Sequence, residues 1–169
     1  MRRTLSGLLT LACLTLGSPA IQSATDPADS PFTVVEADIQ TLQQALRDGR
    51  VTSRQLVEQY LQRIGLYELD LNATLAVNHK ALRYADQLDR ERREGKLRGP
   101  LHGIPVALKD NIHTTDMPTT GGDIAFEGFV PPYEATIVTN LKKAGAIILA
   151  KTTLTQLANW VATGMPDNY

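Results

Sequence analysis

Apolar residues recur along this chain with two different periods, and the switches between them mark out its elements. Ile39, Leu42, Ala45 and Leu46 share one face of a 3.6-residue repeat. Asp38 stands where a cap belongs and Gly49 where a helix stops, so a first helix is predicted between them. Thr52-Ser53-Arg54-Gln55 has the form of a capping box, in which hydroxyl and amide side chains satisfy each other's free backbone N–H groups. The helix it opens carries Leu56, Val57, Tyr60, Leu61 and Ile64 as its stripe. Two amphipathic helices of this kind pack on a larger body. Ala73 to Val77 is a candidate strand, and Ala81, Leu82, Ala85 and Leu88 line the inner face of a third helix that ends in charge before Gly95.

Ile104 to Leu108 is a nearly continuous apolar run, predicted as a short buried strand with Pro105 tolerated near its start. Gly99, Pro100 and Gly103 shape the approach to it. A loop rich in Thr, Gly and Pro follows from Thr114 to Pro132, long enough to be functional. Ala135 to Ala144 is predicted helical, with Ile137, Val138 and Leu141 inward, and Gly145 leads into a strand from Ala146 to Ala150. Thr153 or Thr155 caps a last short helix through Trp160. Strand, loop, helix, strand is a βαβ-like order and implies an α/β layered fold.

The first residues change the expected compartment. Met1-Arg2-Arg3 precedes a short apolar run from Leu5 to Leu16, and Ser18-Pro19-Ala20 offers small residues for a signal peptidase. Residues 1–20 are read as a signal peptide, too short in its apolar part to span a membrane. Residues 21–35 are read as an exposed leader and 36–169 as the folded part. Cleavage removes Cys13, the only cysteine, which excludes disulfides and thiolate catalysis in the mature chain. It also removes two arginines and no acid, moving the formal charge from −1 to −3. No basic patch points to nucleic acid, and no membrane contact is expected after cleavage. His79, His102 and His113 are too widely spaced for a local metal motif, and no glycine-rich phosphate loop follows a strand. No cofactor is expected. Gly121-Gly122 reads as a backbone device, and His102 as a residue that orders its loop.

One stretch carries more than local structure: Gly99-Pro100-Leu101-His102-Gly103-Ile104-Pro105-Val106-Ala107-Leu108-Lys109-Asp110-Asn111. On its own, a lysine leaving a strand is an ordinary solvated side chain. The string as a whole, however, closely resembles the catalytic-lysine segment of the amidase signature family. The resemblance continues through Met117-Pro118-Thr119-Thr120-Gly121-Gly122, Gly128 to Pro132, and Leu141 to Thr152. It implies the N-terminal portion of that family's fold, a mixed β-sheet flanked by helices. It also implies hydrolysis of carboxamide C–N bonds by a Ser–cis-Ser–Lys triad, with Lys109 as the base and a small-molecule amide as substrate.

The family's two serines come from a glycine- and serine-rich segment downstream of the lysine, and no serine follows Lys109 here. The expectation is therefore an exported, periplasmic or secreted amidase-family chain that is inactive as 169 residues. The alternative is a non-catalytic exported module that binds an amide or a partner. The cytoplasmic amidotransferase branch of the family is disfavoured by the signal peptide. Asp110 and Asn111 are expected to brace the loop. Asp123, Thr153 and Gln156 depart from residues common in the family, which bears on substrate identity. The oligomeric state is not legible in the sequence.

Overall fold

The computed structural model describes residues 31–158, which lie in the second of two units into which the chain divides, Pro31–Tyr169. The expected signal peptide, most of the expected leader and the end of the last predicted helix at Trp160 fall outside the described residues. Helix α1 (Ile39–Arg47) is capped by Asp38, whose carboxylate accepts from Thr41 N at 2.7 Å. Helix α2 (Ser53–Leu71) opens on the complete capping box, Thr52 with Gln55, and closes on Asn72 in the left-handed conformation. After β1 (Thr74–Val77) come α3 (Ala81–Arg93), β2 (Pro105–Lys109), α4 (Thr136–Lys143) and β3 (Ile147–Thr152).

The sheet has the order β1-β3-β2, with β3 parallel to β2 and antiparallel to β1. This is the mixed sheet the sequence implied, and the β2–α4–β3 order explains its parallel half. Helices α2 and α3 cover one face, where Val57, Ala81, Ala85 and Leu88 pack with Ile147 and Leu149. On the other face Leu108 and Ile148 pack with Val138 of α4 and Met117 of the loop. A third apolar cluster joins α1 to the start of α2 and to Ile104.

Three expectations are corrected. Residues 32–34 are not leader: Val34 is buried, and Gln59 accepts from Val34 N and donates to Phe32 O, which ties this segment to α2. Ile137 is 54% exposed, because α4 turns only Val138 and Leu141 toward the sheet. β2 is not buried throughout. It is an edge strand with period-2 burial, Leu108 inward and Ala107 and Lys109 exposed. Leu108, Ile147 and Leu149 are nonetheless well covered.

Candidate functional site

The two ends of the parallel pair are built differently. At the N-terminal end, backbone meets backbone. Gly103 N donates to Gly145 O at 2.8 Å and Leu101 N to Ala144 O at 3.1 Å. Gly145 (φ +91°) could not carry a side chain, since a Cβ would lie 2.5 Å from His102 Cα. His102 is 3% exposed and holds the loop as expected. Its Nδ1 accepts from Arg98 N at 3.1 Å, which leaves Nε2–H to donate to Leu88 O at 2.9 Å.

The C-terminal end carries Lys109, Asp110 and Lys151. Lys109 closes β2 with its side chain exposed, and the amine takes part in no hydrogen bond or ion pair among the described residues. Asp110, the next residue, is 1% exposed. Its backbone N donates to Thr152 O at 3.1 Å, and its carbonyl accepts from Gly121 N at 3.2 Å. Its Oδ2 accepts from both Thr120 N (2.8 Å) and Thr120 Oγ1 (2.5 Å). Oδ1 receives no well-aligned hydrogen bond; what faces it is the Lys151 ammonium at 2.9 Å.

Lys151 is the residue that sequence reasoning passed over. The predicted strand stopped at Ala150, whereas β3 runs to Thr152 and puts Lys151 inside it, fully buried. Its Nζ has three acceptors: Asp110 Oδ1, Thr119 Oγ1 at 2.9 Å and Pro118 O at 3.2 Å. That matches the three donors of an ammonium. Burial pulls its pKa below the ordinary lysine value, against the opposing pull of Asp110. A signal was present in the sequence. A lysine directly after Ile147-Ile148-Leu149-Ala150 must either leave the sheet or find a buried counter-charge.

A bulge aims this lysine. Between Val106 and Ala107 the register slips, so that Ala107 pairs with Ala150 and Leu108 with Lys151. In unbroken register Lys151 would have paired with Lys109 and shared its face. Instead it lies on the face of Leu108, where the loop supplies its acceptors.

The loop after Asp110 forms one wall of a cleft of about 360 Å³, lined among others by Leu75, Asp110, Pro118, Thr120, Asp123 and Glu127. Gly121 and Gly122 both have positive φ, and a Cβ on Gly122 would stand 2.7 Å from Leu154 O. Two of the three unusual residues meet here. Gln156 Nε2 donates to Asp123 Oδ2 at 2.9 Å, and Asp123 Oδ1 also caps Ala125 N at 2.9 Å. The backbone bond to Ala125 and the bond from Gln156 lower the Asp123 pKa. The third, Thr153, donates to Asn72 O at 3.0 Å.

Ser53, the one serine among the described residues, does not serve Lys109. Its Oγ is buried and lies 2.1 Å from where a Cβ on Gly103 would stand, beside the N-terminal end of β2. Six residues of extended chain, about 20 Å, separate that point from Lys109.

The family model described as Amidase matches residues 55–166. A glutamyl-tRNA(Gln) amidotransferase subunit from Rhodopirellula baltica is 43% identical over 119 residues, which cover 70% of this chain and 24% of that protein. The structure of the native peptide amidase from Stenotrophomonas maltophilia superimposes with a TM-score of 0.71 at 45% identity, over 73% of this chain and 26% of that one. An amidase family protein from Bacillus anthracis gives a TM-score of 0.73 at 35% identity, over 79% and 27%. The chain thus spans about a quarter of the length of the relatives it matches. The matched range includes β2, the loop, α4 and β3, the elements that place Lys109, Asp110 and Lys151, and the chain belongs to the amidase family.

Proposed function

We propose that this chain carries the base side of an amide-hydrolysing site, with Lys109 as the general base for acyl transfer to serine. The observation that carries the reading is the contrast at the end of β2. Its backbone is fixed on both sides of Lys109, by buried Leu108 and by Asp110, while the amine itself is exposed and has no partner among the described residues. Such an amine is available to a substrate or a hydroxyl brought against it. A lysine that works as a base near neutral pH must titrate about three units below its usual value, an effect worth about 4 kcal/mol. Once neutral, it takes the proton of a bridging serine, which in turn activates the nucleophilic serine toward the carbonyl carbon. Backbone N–H groups holding the oxyanion contribute about 3 kcal/mol per donor. The substrate class is a small carboxamide.

The 169-residue chain supplies the lysine and none of the hydroxyls, so it should turn over no carboxamide. A purified sample assayed on a carboxamide panel tests the inactivity, and the effect of Lys109→Ala on any turnover found tests the base. Turnover abolished in Lys109→Ala would disprove the inactivity, and turnover that Lys109→Ala retains would disprove the role of the base. Export is part of the same reading, with the mature chain beginning near Ile21. N-terminal sequencing of secreted material checks it; Met1 retained on a cytoplasmic product would favour instead a component of an amidotransferase-like assembly.

A further inference from the structure

We propose that Lys151 and Asp110 are positioning residues for Lys109, a buried pair that fixes the strand end and the loop that follows it. This rests on the reading of Lys109 as the base. The three acceptors of the Lys151 ammonium all come from the chain just after Lys109: Asp110, Pro118 and Thr119. Asp110 in turn holds Thr120 by two bonds and Gly121 by a third, and Thr120 Oγ1 accepts from Gly122 N at 3.1 Å. The middle of the loop is thus gathered back onto Asp110, Thr120 by the carboxylate and Gly121 by the backbone carbonyl. The Lys109 side chain has no direct partner among the described residues, so its place is set through the backbone of its neighbour.

A buried ion pair is a poor source of stability compared with apolar residues of the same shape, which directs attention to what its geometry does. Only a long side chain with three donors reaches a carboxylate, a hydroxyl and a carbonyl together. The pair is also neutral as a unit, so it adds no net charge beside Lys109. The other charged groups bordering the cleft are Asp123 and Glu127 of the loop, while β1 contributes only Leu75 and Ala76.

The experiment is amine-selective acylation of the purified 169-residue chain by an N-hydroxysuccinimide ester, with modification of Lys109 followed by mass spectrometry across pH. Lys151→Met leaves the Asp110 carboxylate uncompensated, which favours the Lys109 ammonium and slows acylation at fixed pH by roughly threefold to tenfold. Asp110→Asn leaves the Lys151 ammonium uncompensated and speeds acylation by a similar factor. A pair with a merely structural role would loosen the site in both variants and move both rates the same way. Amide exchange supplies the second readout. Thr120→Val, nearly isosteric and without a charge change, should speed exchange at Gly122 by about tenfold, one buried hydrogen bond's worth. It also keeps the test decisive if either charge variant fails to fold. Rates at Lys109 that shift in the same direction in the two charge variants, or Gly122 exchange unchanged in Thr120→Val, would overturn the positioning role. Neither readout requires Lys109 to act as a base. Failure of the base reading shows instead as turnover surviving Lys109→Ala.

Discussion

The two ends of the β2–β3 pair solve the same problem with different physics. At the N-terminal end the strands are brought together by close backbone approach: Gly103 against Gly145, with a neutral imidazole bridging Arg98 N and Leu88 O. No ion pair joins the strands there; the Arg92 guanidinium packs against the turn and donates to His102 O at 2.7 Å. At the C-terminal end the strands are joined by a buried ammonium and carboxylate, and the loop hangs from the carboxylate. The first arrangement tolerates no extra atom, and the second tolerates no lost charge. In an α/β layer the C-terminal strand ends are where working groups stand, and the charged fastening is found on that side. The lysine with a partner is the buried one, and the lysine without a partner is the exposed one.

The contrast can be broken most severely at the charged end. Lys151→Met should destabilise the chain by about 3–5 kcal/mol, because it leaves an unpaired carboxylate inside the protein. Urea unfolding measures it. The double variant Asp110→Leu with Lys151→Met should recover most of that loss, since apolar residues of similar volume remove both desolvation penalties. Equal losses in the single and double variants would mean that the fold needs the pair itself.

At the neutral end the sharpest change is Gly145→Ala. A Cβ there meets His102 Cα, and the positive φ is strained for alanine, so a loss of about 2–3 kcal/mol is expected. A shift in urea midpoint below half of that would show that the β3 entry can move aside.

Acid should act more gently. Burial raises the Asp116 pKa, but hydrogen bonds from Lys142 and Lys80 outweigh this and hold it below the usual carboxylate range. Hydrogen bonding to Arg98 lowers Glu91 to about 2, against a modest opposing effect of burial. Folded-state values depressed in this way give stability that is fully present above the unfolded carboxylate range and lost as pH falls through the depressed values. Urea midpoints taken from about pH 6 down to about pH 2 should therefore decline gradually, by less than either substitution, because solvent screens Glu91. A flat profile would remove these carboxylates from the account.

The smallest effect is the most telling. Lys109→Ala should change stability by less than about 0.5 kcal/mol, because the side chain is exposed and has no partner among the described residues. A loss comparable to that of Lys151→Met would mean that Lys109 is a structural lysine after all.

Much of this was legible in the sequence where local physics decides. The Asp38 cap, the Thr52–Gln55 box and the stripe from Leu56 to Ile64 are rules of helix ends and faces, and they produced α1 and α2. The parallel pair followed from its order, and Lys109 was located through the resemblance its neighbours carry. What stayed hidden depends on partners far along the chain. Ile137 satisfies the helical period, yet α4 rotates it outward. Val34 looks like a stray apolar residue until Gln59 anchors its backbone. Lys151 looked like the end of a strand because its counter-charge lies 41 positions earlier and reaches it only through a register slip.

Such a slip also has consequences for changes in chain length. β1 carries one as well: Thr74 pairs with Thr152 and Ala76 with Lys151, so Leu75 is surplus to the ladder, and it is 44% exposed. Deleting a codon inside a regular strand inverts every side chain beyond it, which would send core residues into solvent. Deleting Leu75 inverts nothing, because the pairs on either side close up in their existing register. Inherited variation in length should accordingly be tolerated at Leu75 and purged at Ala107, although both are apolar residues in strands of the same sheet.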